Sequence, residues 1–496
     1  MSNLKSLEKL FLPCLLTACL FVFLGLNPVG IALAAESPFL VKPYVQLGNH
    51  RKITRNNTDR FEILWCAGKK DGWKLQFRPE KKNKEESWQE SAKISASLQK
   101  APSIAPYHLL CGTIENPSPG SVIEYRLQHQ GKVVFQSKTR TRKSKEQPFT
   151  FAVAGDIGAG SPGQKSNVYQ IHKNKPDLFL IPGDITYNRG RVSEYLTRFF
   201  PILNCDQASP KTGAPLLRST LTLTAIGNHD IALTSRWDGV DFSHYPDALG
   251  YYRFWSQPMN GPASLANGRN TTKIKGDSRA QLDFVRSAGK RFPRMANYSF
   301  EYGNAHFLVL DANPYMDWTD KKWRSWLEKD LISAQKAAWR FVLCHQPGFS
   351  VDNNHWVEQR MRLLCDLFEK HKVDIVLSGH AHTYQRSFPL KFSVRSKDGI
   401  PLRNANGTVN GAFILDKNFD GKTVTKPDGV LYIVSGAGGA SLYRKGILNH
   451  EESLFNSKFI ANQHSFSLCK VEGKNLLFKQ IGCDGKELDT FRVTKD

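Results

Sequence analysis

Asp184 and Tyr187 lie three residues apart, just after the apolar run 178–181 and the dipeptide Pro182-Gly183. Both side chains offer anionic oxygen once deprotonated. A carboxylate can bridge two cations, and a phenolate is a hard donor that favours a trivalent metal such as iron. Alone, a Gly-Asp after an apolar run is often only a turn. Four more apolar runs, however, end in the same kind of residue. Phe151-Ala152-Val153-Ala154 leads into Gly155-Asp156, and Leu223-Thr224-Ala225-Ile226 leads into Gly227-Asn228-His229-Asp230. Phe341-Val342-Leu343-Cys344 leads into His345, and Asp374-Ile375-Val376-Leu377 leads into Gly379-His380-Ala381-His382. Any one of these histidines could be a buried structural residue. Five such endings in one chain read as a metal-binding rim.

Short continuous apolar runs closed by Gly or Pro are the pattern of strands buried on both faces, with ligands gathering beyond their carboxyl ends. The expected elements are therefore strands that deliver Asp156, Asp184, Tyr187, Asn228, His345, His380 and His382 to one place. The adjoining glycines let backbone and metal approach without an intervening side chain.

These five blocks, with Tyr187 as the discriminating residue, resemble the signature of the purple acid phosphatases, within the calcineurin-like metallophosphoesterases. The resemblance runs over roughly residues 150–445 and includes Ser435-Gly436-Ala437-Gly438-Gly439-Ala440 after an apolar run. It implies a four-layer α-β-β-α sandwich preceded by a small all-β sandwich. It also implies a dinuclear centre of Fe(III) plus a divalent ion (Zn, Fe or Mn). Asp156, Asp184, Tyr187 and His382 would take the ferric ion, Asp184 would bridge, and Asn228, His345 and His380 would complete the divalent site. His229 would be the general acid, with Asp230 holding its ring, and His355 would bind substrate. The chain departs from the plant-type pattern at Asn354, where a neighbouring histidine is usual, and at Gln385, where Glu is usual. Tyr384 and Arg386 would support the ligands, with Arg386 structural.

The implied reaction is hydrolysis of phosphate monoesters, for which two cations about 3.5–4 Å apart can clamp phosphoryl oxygens and acidify a water. Two alternatives remain. One is a phosphodiesterase or nucleotidase using the same centre. The other is an envelope-binding protein whose β domain does the work and whose centre is vestigial.

At 496 residues the chain has room for two domains. Residues 1–34 pair Lys5 and Lys9 with an apolar stretch and Ala32-Leu33-Ala34, the three-part pattern of a secretory signal peptide. This predicts a secreted or periplasmic protein; a retained anchor or a lipoprotein box at Cys19 is the alternative. Residues 36–146 carry short alternating segments expected to be strands of an all-β domain, and the family resemblance implies that this is a fibronectin-type domain. Residues 139–147 read as a linker, 81–90 as a solvated hairpin tip, and 148–496 as the catalytic domain. The loop at Asp416 matches half of a calcium motif, but Pro427 stands where its Glu is required, so an ordinary loop is expected. Seven cysteines outside residues 1–34 show no paired spacing and predict no disulfide framework.

The formal net charge of +23 is spread along the chain without an aromatic-interleaved basic helix. It excludes specific nucleic-acid binding as the leading reading and favours phosphate-ester substrates or an anionic envelope as partners. Oligomeric state is not legible. The aromatic stretch 247–262 and the tryptophans of 323–334 are expected to pack, the latter on an amphipathic helix.

Overall fold

The computed structural model describes residues 37–80, 87–102, 104–233, 238–404, 407–447 and 450–496. The expected signal peptide and most of the hairpin tip lie outside them. Among the described residues, no helix is long and apolar enough to cross a membrane.

Residues 41–140 form two four-stranded antiparallel sheets. One runs Val41–Gln46, Arg60–Ala67, Ile104–Glu115, Ile94–Ala101; the other runs Gln89–Glu90, Trp73–Pro79, Val122–His129, Lys132–Arg140. Alternation along each strand sends Ile63 and Trp65, and opposite them Leu75, Tyr125 and Leu127, into one shared core. The basic stretch 139–147 is anchored by its buried residues Thr139, Thr141 and Arg142. Arg142 is buried against Asp59, whose carboxylate accepts its backbone N–H and two guanidinium N–H groups at 2.7–2.9 Å. A paired, hydrogen-bonded guanidinium is the form in which a buried charge is tolerated.

Beyond it lie two larger sheets. The six-stranded sheet is ordered Leu221–Ala225, Leu178–Pro182, Phe149–Val153, Ser465–Glu472, Asn475–Gly482, Glu487–Thr494. Its first three strands are parallel. The seven-stranded sheet is ordered Tyr298–Tyr302, Ala305–Leu310, Trp339–Cys344, Ile375–Ser378, Leu431–Ser435, Tyr384–Ser387, Asn456–Ile460.

Period-two alternation explains the layering. Phe151, Val153 and Leu180 point inward to meet Phe307, Phe341, Leu343 and Leu377 of the other sheet. Phe151 packs edge-on to Phe341 at 5.2 Å between ring centroids. The intervening residues face outward: Ala152, Phe179 and Ile181 cover Val168 and Ile171 of the helix Pro162–Lys173, and Val342 and Val376 cover Trp323, Leu327 and Leu331 of the helix Lys321–Ser333. Each strand therefore serves two cores, which is why the sequence shows unbroken apolar runs. Ser161 and Asp320 cap those helices by accepting backbone N–H groups at their starts. The result is the four-layer α-β-β-α sandwich with an all-β region ahead of it.

The aromatic stretch packs as expected, with Tyr251, Tyr252, Phe254 and Trp255 all buried. The seven described cysteines are free thiols, and Cys344 lies in the core.

Candidate metal centre

The five apolar runs are all strands, but they belong to different sheets. Asp156, Asp184 and Asn228 follow strands of the six-stranded sheet, and His345 and His380 follow strands of the seven-stranded one. The sheets are joined at this end by Gly155, whose N–H donates to the Ser435 carbonyl at 2.8 Å, and by the His380 N–H, which donates to the Asp156 carboxylate at 2.8 Å.

Three of the candidate ligands turn sharply. Asp156, Asp184 and His380 have φ of 57°, 48° and 68°, the left-handed region that non-glycine residues enter at a cost of about 1–3 kcal/mol. Such conformations persist where surrounding contacts over-determine them, and they aim consecutive side chains back over the strand ends. The space is tight: a Cβ on Gly227 would stand 2.2 Å from the Asp184 carboxylate.

The donor atoms form two overlapping groups. Asp156, Asp184 and His382 offer ligand atoms within 4.8 Å of one another, and so do Asp184, His345 and His380. The Tyr187 hydroxyl joins the first group, at 3.0 Å from Asp156 Oδ1, 3.2 Å from Asp184 Oδ2 and 3.0 Å from His382 Nε2. Asn228 Oδ1 joins the second, 2.9 Å from His345 Nε2. Asp184 spans them, with Oδ1 3.2 Å from His345 and Oδ2 toward Tyr187.

The histidines are aimed by their other nitrogens, as ligating imidazoles usually are. His345 Nδ1 donates to the Pro182 carbonyl at 2.8 Å, and His382 Nδ1 donates to the Ser441 carbonyl at 2.6 Å. His380 turns Nε2 to Glu358 at 3.2 Å, which leaves Nδ1 facing His345. All six side chains apart from Asn228 that bear these donors are buried.

The electrostatics fit cations. Burial alone would raise the Asp184 carboxyl, but His345 and His229 facing it hold it well below the usual carboxylate range. Burial disfavours charge on His345, yet the same carboxylate pushes its pKa up to about 10. Burial, then Asp156 and Asp184, raise the Tyr187 phenol. No hydrogen bond or ion pair to Asp156 or Asp184 comes from a lysine or arginine among the described residues. Two carboxylates and a phenol packed with imidazole nitrogens, and paired with no lysine or arginine among the described residues, make a donor set that positive ions would satisfy.

The remaining expected residues fall differently. His229 lies at the edge of the cluster, its Nε2 3.8 Å from Asp184 and its ring over Tyr187 at 4.5 Å. Its Nδ1 donates to the Asn188 carbonyl at 2.7 Å. Asp230 does not hold that ring. Its buried carboxylate instead accepts the N–H groups of Gly227 at 2.8 Å and Ile185 at 3.1 Å. Short backbone loops needed that acceptor, and the carbonyl of Asn188 was closer to His229. Burial, then the nearby Asp184 charge, push the Asp230 carboxyl up to about 8. Tyr384 and Arg386 both bind Asp489 and so brace the sheet rather than the ligands. Gln385 accepts the Val351 N–H at 2.9 Å, which supports the segment leading to His355.

His355 lies against His380 with ring centroids 3.9 Å apart and planes tilted by 43°. Glu358, which the sequence reading passed over, accepts from His355 Nδ1 at 2.8 Å and from His380 at 3.2 Å. Burial opposes its charge, but His380 and His355 hold the carboxyl far below its ordinary range. The His355-x-x-Glu358 spacing was the available signal. Tyr443, also passed over, lies flat on His382 at 4.0 Å and 16°; nothing in its sequence context marks it.

Residues 149–384 match the family described as calcineurin-like phosphoesterase. That part of the chain is similar to the calcineurin-like phosphoesterases. Curated proteins similar to this chain include purple acid phosphatases. The purple acid phosphatase of Glycine max is 36% identical over 246 residues, 48% of this chain and 44% of that protein. Purple acid phosphatase 21 of Arabidopsis thaliana is 26% identical over 257 residues, 49% of this chain and 46% of that protein. The chain thus spans about half the length of the curated relatives it matches. The structure of the yellow lupin (Lupinus luteus) seed purple acid phosphatase superposes with a TM-score of 0.61 at 17% identity, covering 92% of this chain and 74% of that one. That likeness is one of fold.

Proposed function

We propose that this chain is a calcineurin-like phosphoesterase that hydrolyses phosphate monoesters with a two-cation centre. The supporting observation is Asp184, whose two carboxylate oxygens face two separate donor groups. Asp156, Tyr187 and His382 would complete an Fe(III) site, and Asn228, His345 and His380 a site for divalent Zn, Fe or Mn. When bound, such a pair neutralises phosphoryl oxygens and makes water acidic near neutral pH.

The chain's own groups do the rest. His229, fixed through Nδ1 to the Asn188 carbonyl, presents Nε2 at the edge of the cluster. A proton held there is placed to move to the leaving alkoxide oxygen, an effect typically worth about 10² to 10⁴. His355, oriented through Nδ1 by Glu358, keeps Nε2 for a phosphoryl oxygen. Asp230 acts at one remove, by fixing the Gly227 and Ile185 amides that shape the ligand loops.

The organisation proposed with this activity is a signal peptide over residues 1–34, a fibronectin-type β domain over 36–146 and a catalytic domain over 148–496. It carries a secreted or periplasmic location. Elemental analysis of the purified protein beside a monoester, a diester and ATP tests the reading. Two metals per chain with monoester turnover is the expected result. Absence of bound metal after reconstitution, or a diester strongly preferred, would sink it. Tyr187→Phe should abolish a visible phenolate-to-iron absorption band of the oxidised protein; a colourless, iron-free and fully active enzyme would remove the Fe(III) assignment.

A further inference from the structure

The loop that leaves Tyr187 places Arg189 at the outer edge of the centre. Its guanidinium is held from three directions. Nε donates to the Tyr245 hydroxyl at 3.2 Å, and Nη1 donates to the Leu233 carbonyl at 3.1 Å and approaches the Asn188 carbonyl at 3.5 Å. The group also lies 5.5 Å from the Tyr245 ring centroid. The Asn188 carbonyl is the same oxygen that takes His229 Nδ1, so a single atom separates the guanidinium from the imidazole.

Arg189 has no carboxylate partner within ion-pair distance among the described residues, although its neighbourhood is rich in them. Arg191, two residues on, pairs with Asp247 at 2.5 Å. Glu194 accepts the backbone N–H groups of Asn188, Arg189 and Arg191 at 2.6–3.0 Å and leaves the Arg189 side chain alone. Nη2 of Arg189 has no hydrogen-bond partner among the described residues. An arginine ordinarily loses side-chain freedom when it grips an anion. Here the fork is already fixed and half-buried, with one edge unused among the described residues.

We propose that Arg189 is a specificity residue that grips a second anionic group, a carboxylate or a phosphate, on the alcohol portion of a phosphate monoester. This rests on the phosphatase reading above. The phosphoryl group would sit at the donor cluster, the ester oxygen toward His229 Nε2, and the leaving group would extend past His229 to the unpaired fork.

The test compares phenyl phosphate, para-carboxyphenyl phosphate and a phenylene bisphosphate on the full-length, metal-loaded protein. Wild type should favour the two esters that carry a second anionic group in kcat/KM. In Arg189→Gln that preference should shrink about tenfold, carried by KM, as expected for the loss of one charge-assisted contact. In Arg189→Glu it should invert. The ester whose KM rises more identifies carboxylate or phosphate as the natural group. No preference in wild type, or an equal loss on all three esters, overturns the proposal, because a residue that only braces the 188 and 233 loops would not discriminate. Tyr245→Phe removes one of the clamps with less risk to folding and should give a smaller shift of the same sign; a uniform effect there also overturns it. If wild type hydrolyses none of the esters, the phosphatase reading falls. Calorimetric binding of para-carboxyphenylphosphonate against phenylphosphonate then decides the Arg189 site, and equal affinity overturns it.

Discussion

The two sheets contribute different chemistry to the centre. The six-stranded sheet supplies oxygen, from Asp156, Asp184, Tyr187 and Asn228, while the seven-stranded sheet supplies nitrogen, from His345, His380 and His382. Neither set alone surrounds a cation. The oxygen side holds the acidic groups and the left-handed turns at Asp156 and Asp184. The nitrogen side holds imidazoles tied to carbonyls and to Glu358. The difference teaches that the centre is an interface property, complete only when the two inner faces, Phe151 against Phe341 and Phe307, are packed.

That comparison can be broken most directly at Asp184, the residue common to both groups. Asp184→Asn should drop both metals and take phosphatase activity below detection; retention of two metals by elemental analysis would show that it does not bridge. His229→Ala, which leaves both sets of donors in place, should reduce turnover of poor leaving groups by about 10² to 10⁴ and good ones far less. Equal losses would argue that His229 is not the acid. Phe341→Ala opens the seam between the sheets and should cost about 3–5 kcal/mol of stability by denaturant titration. Loss of both metals at one denaturant concentration is expected, and separate release of the two would refute the interface view. Glu358→Gln should weaken the second ion about 10–100-fold and spare the first; weakening of both would show that Glu358 supports the whole cluster.

The smallest effect lies outside both sheets. Burial, then Arg60 and Arg142, push His50 down to about 4, against about 6.5 in an unfolded chain. Between those values the unfolded state binds more protons, so stability should fall as pH drops from about 6.5 to 4. His50→Gln should flatten that part of the stability profile without changing metal content; an unchanged slope would show that His50 is not its source.

The clustering of the candidate donors was legible because each follows a strand whose two faces are both buried, and that burial leaves an unbroken apolar run in the sequence. Tyr187 was legible through its fixed spacing from Asp184. Glu358 and Tyr443 were harder to read, since one acts through a histidine three residues away and the other stacks on His382 from a loop 61 residues later in the chain. The role of Asp230 was misread because adjacency to His229 suggested a contact, whereas the backbone turns the two side chains apart.

The sequence by itself determined which atoms could bind metal, and that strands would present them, because side-chain chemistry and two-sided burial are local properties. Only the tertiary structure decided that oxygen and nitrogen donors come from separate sheets, that a carbonyl rather than a carboxylate holds His229, and that Arg189 stands beside it with no carboxylate partner among the described residues. Those outcomes depend on distances between segments remote in sequence, which are set by how the sheets pack and not by the order of residues along either one.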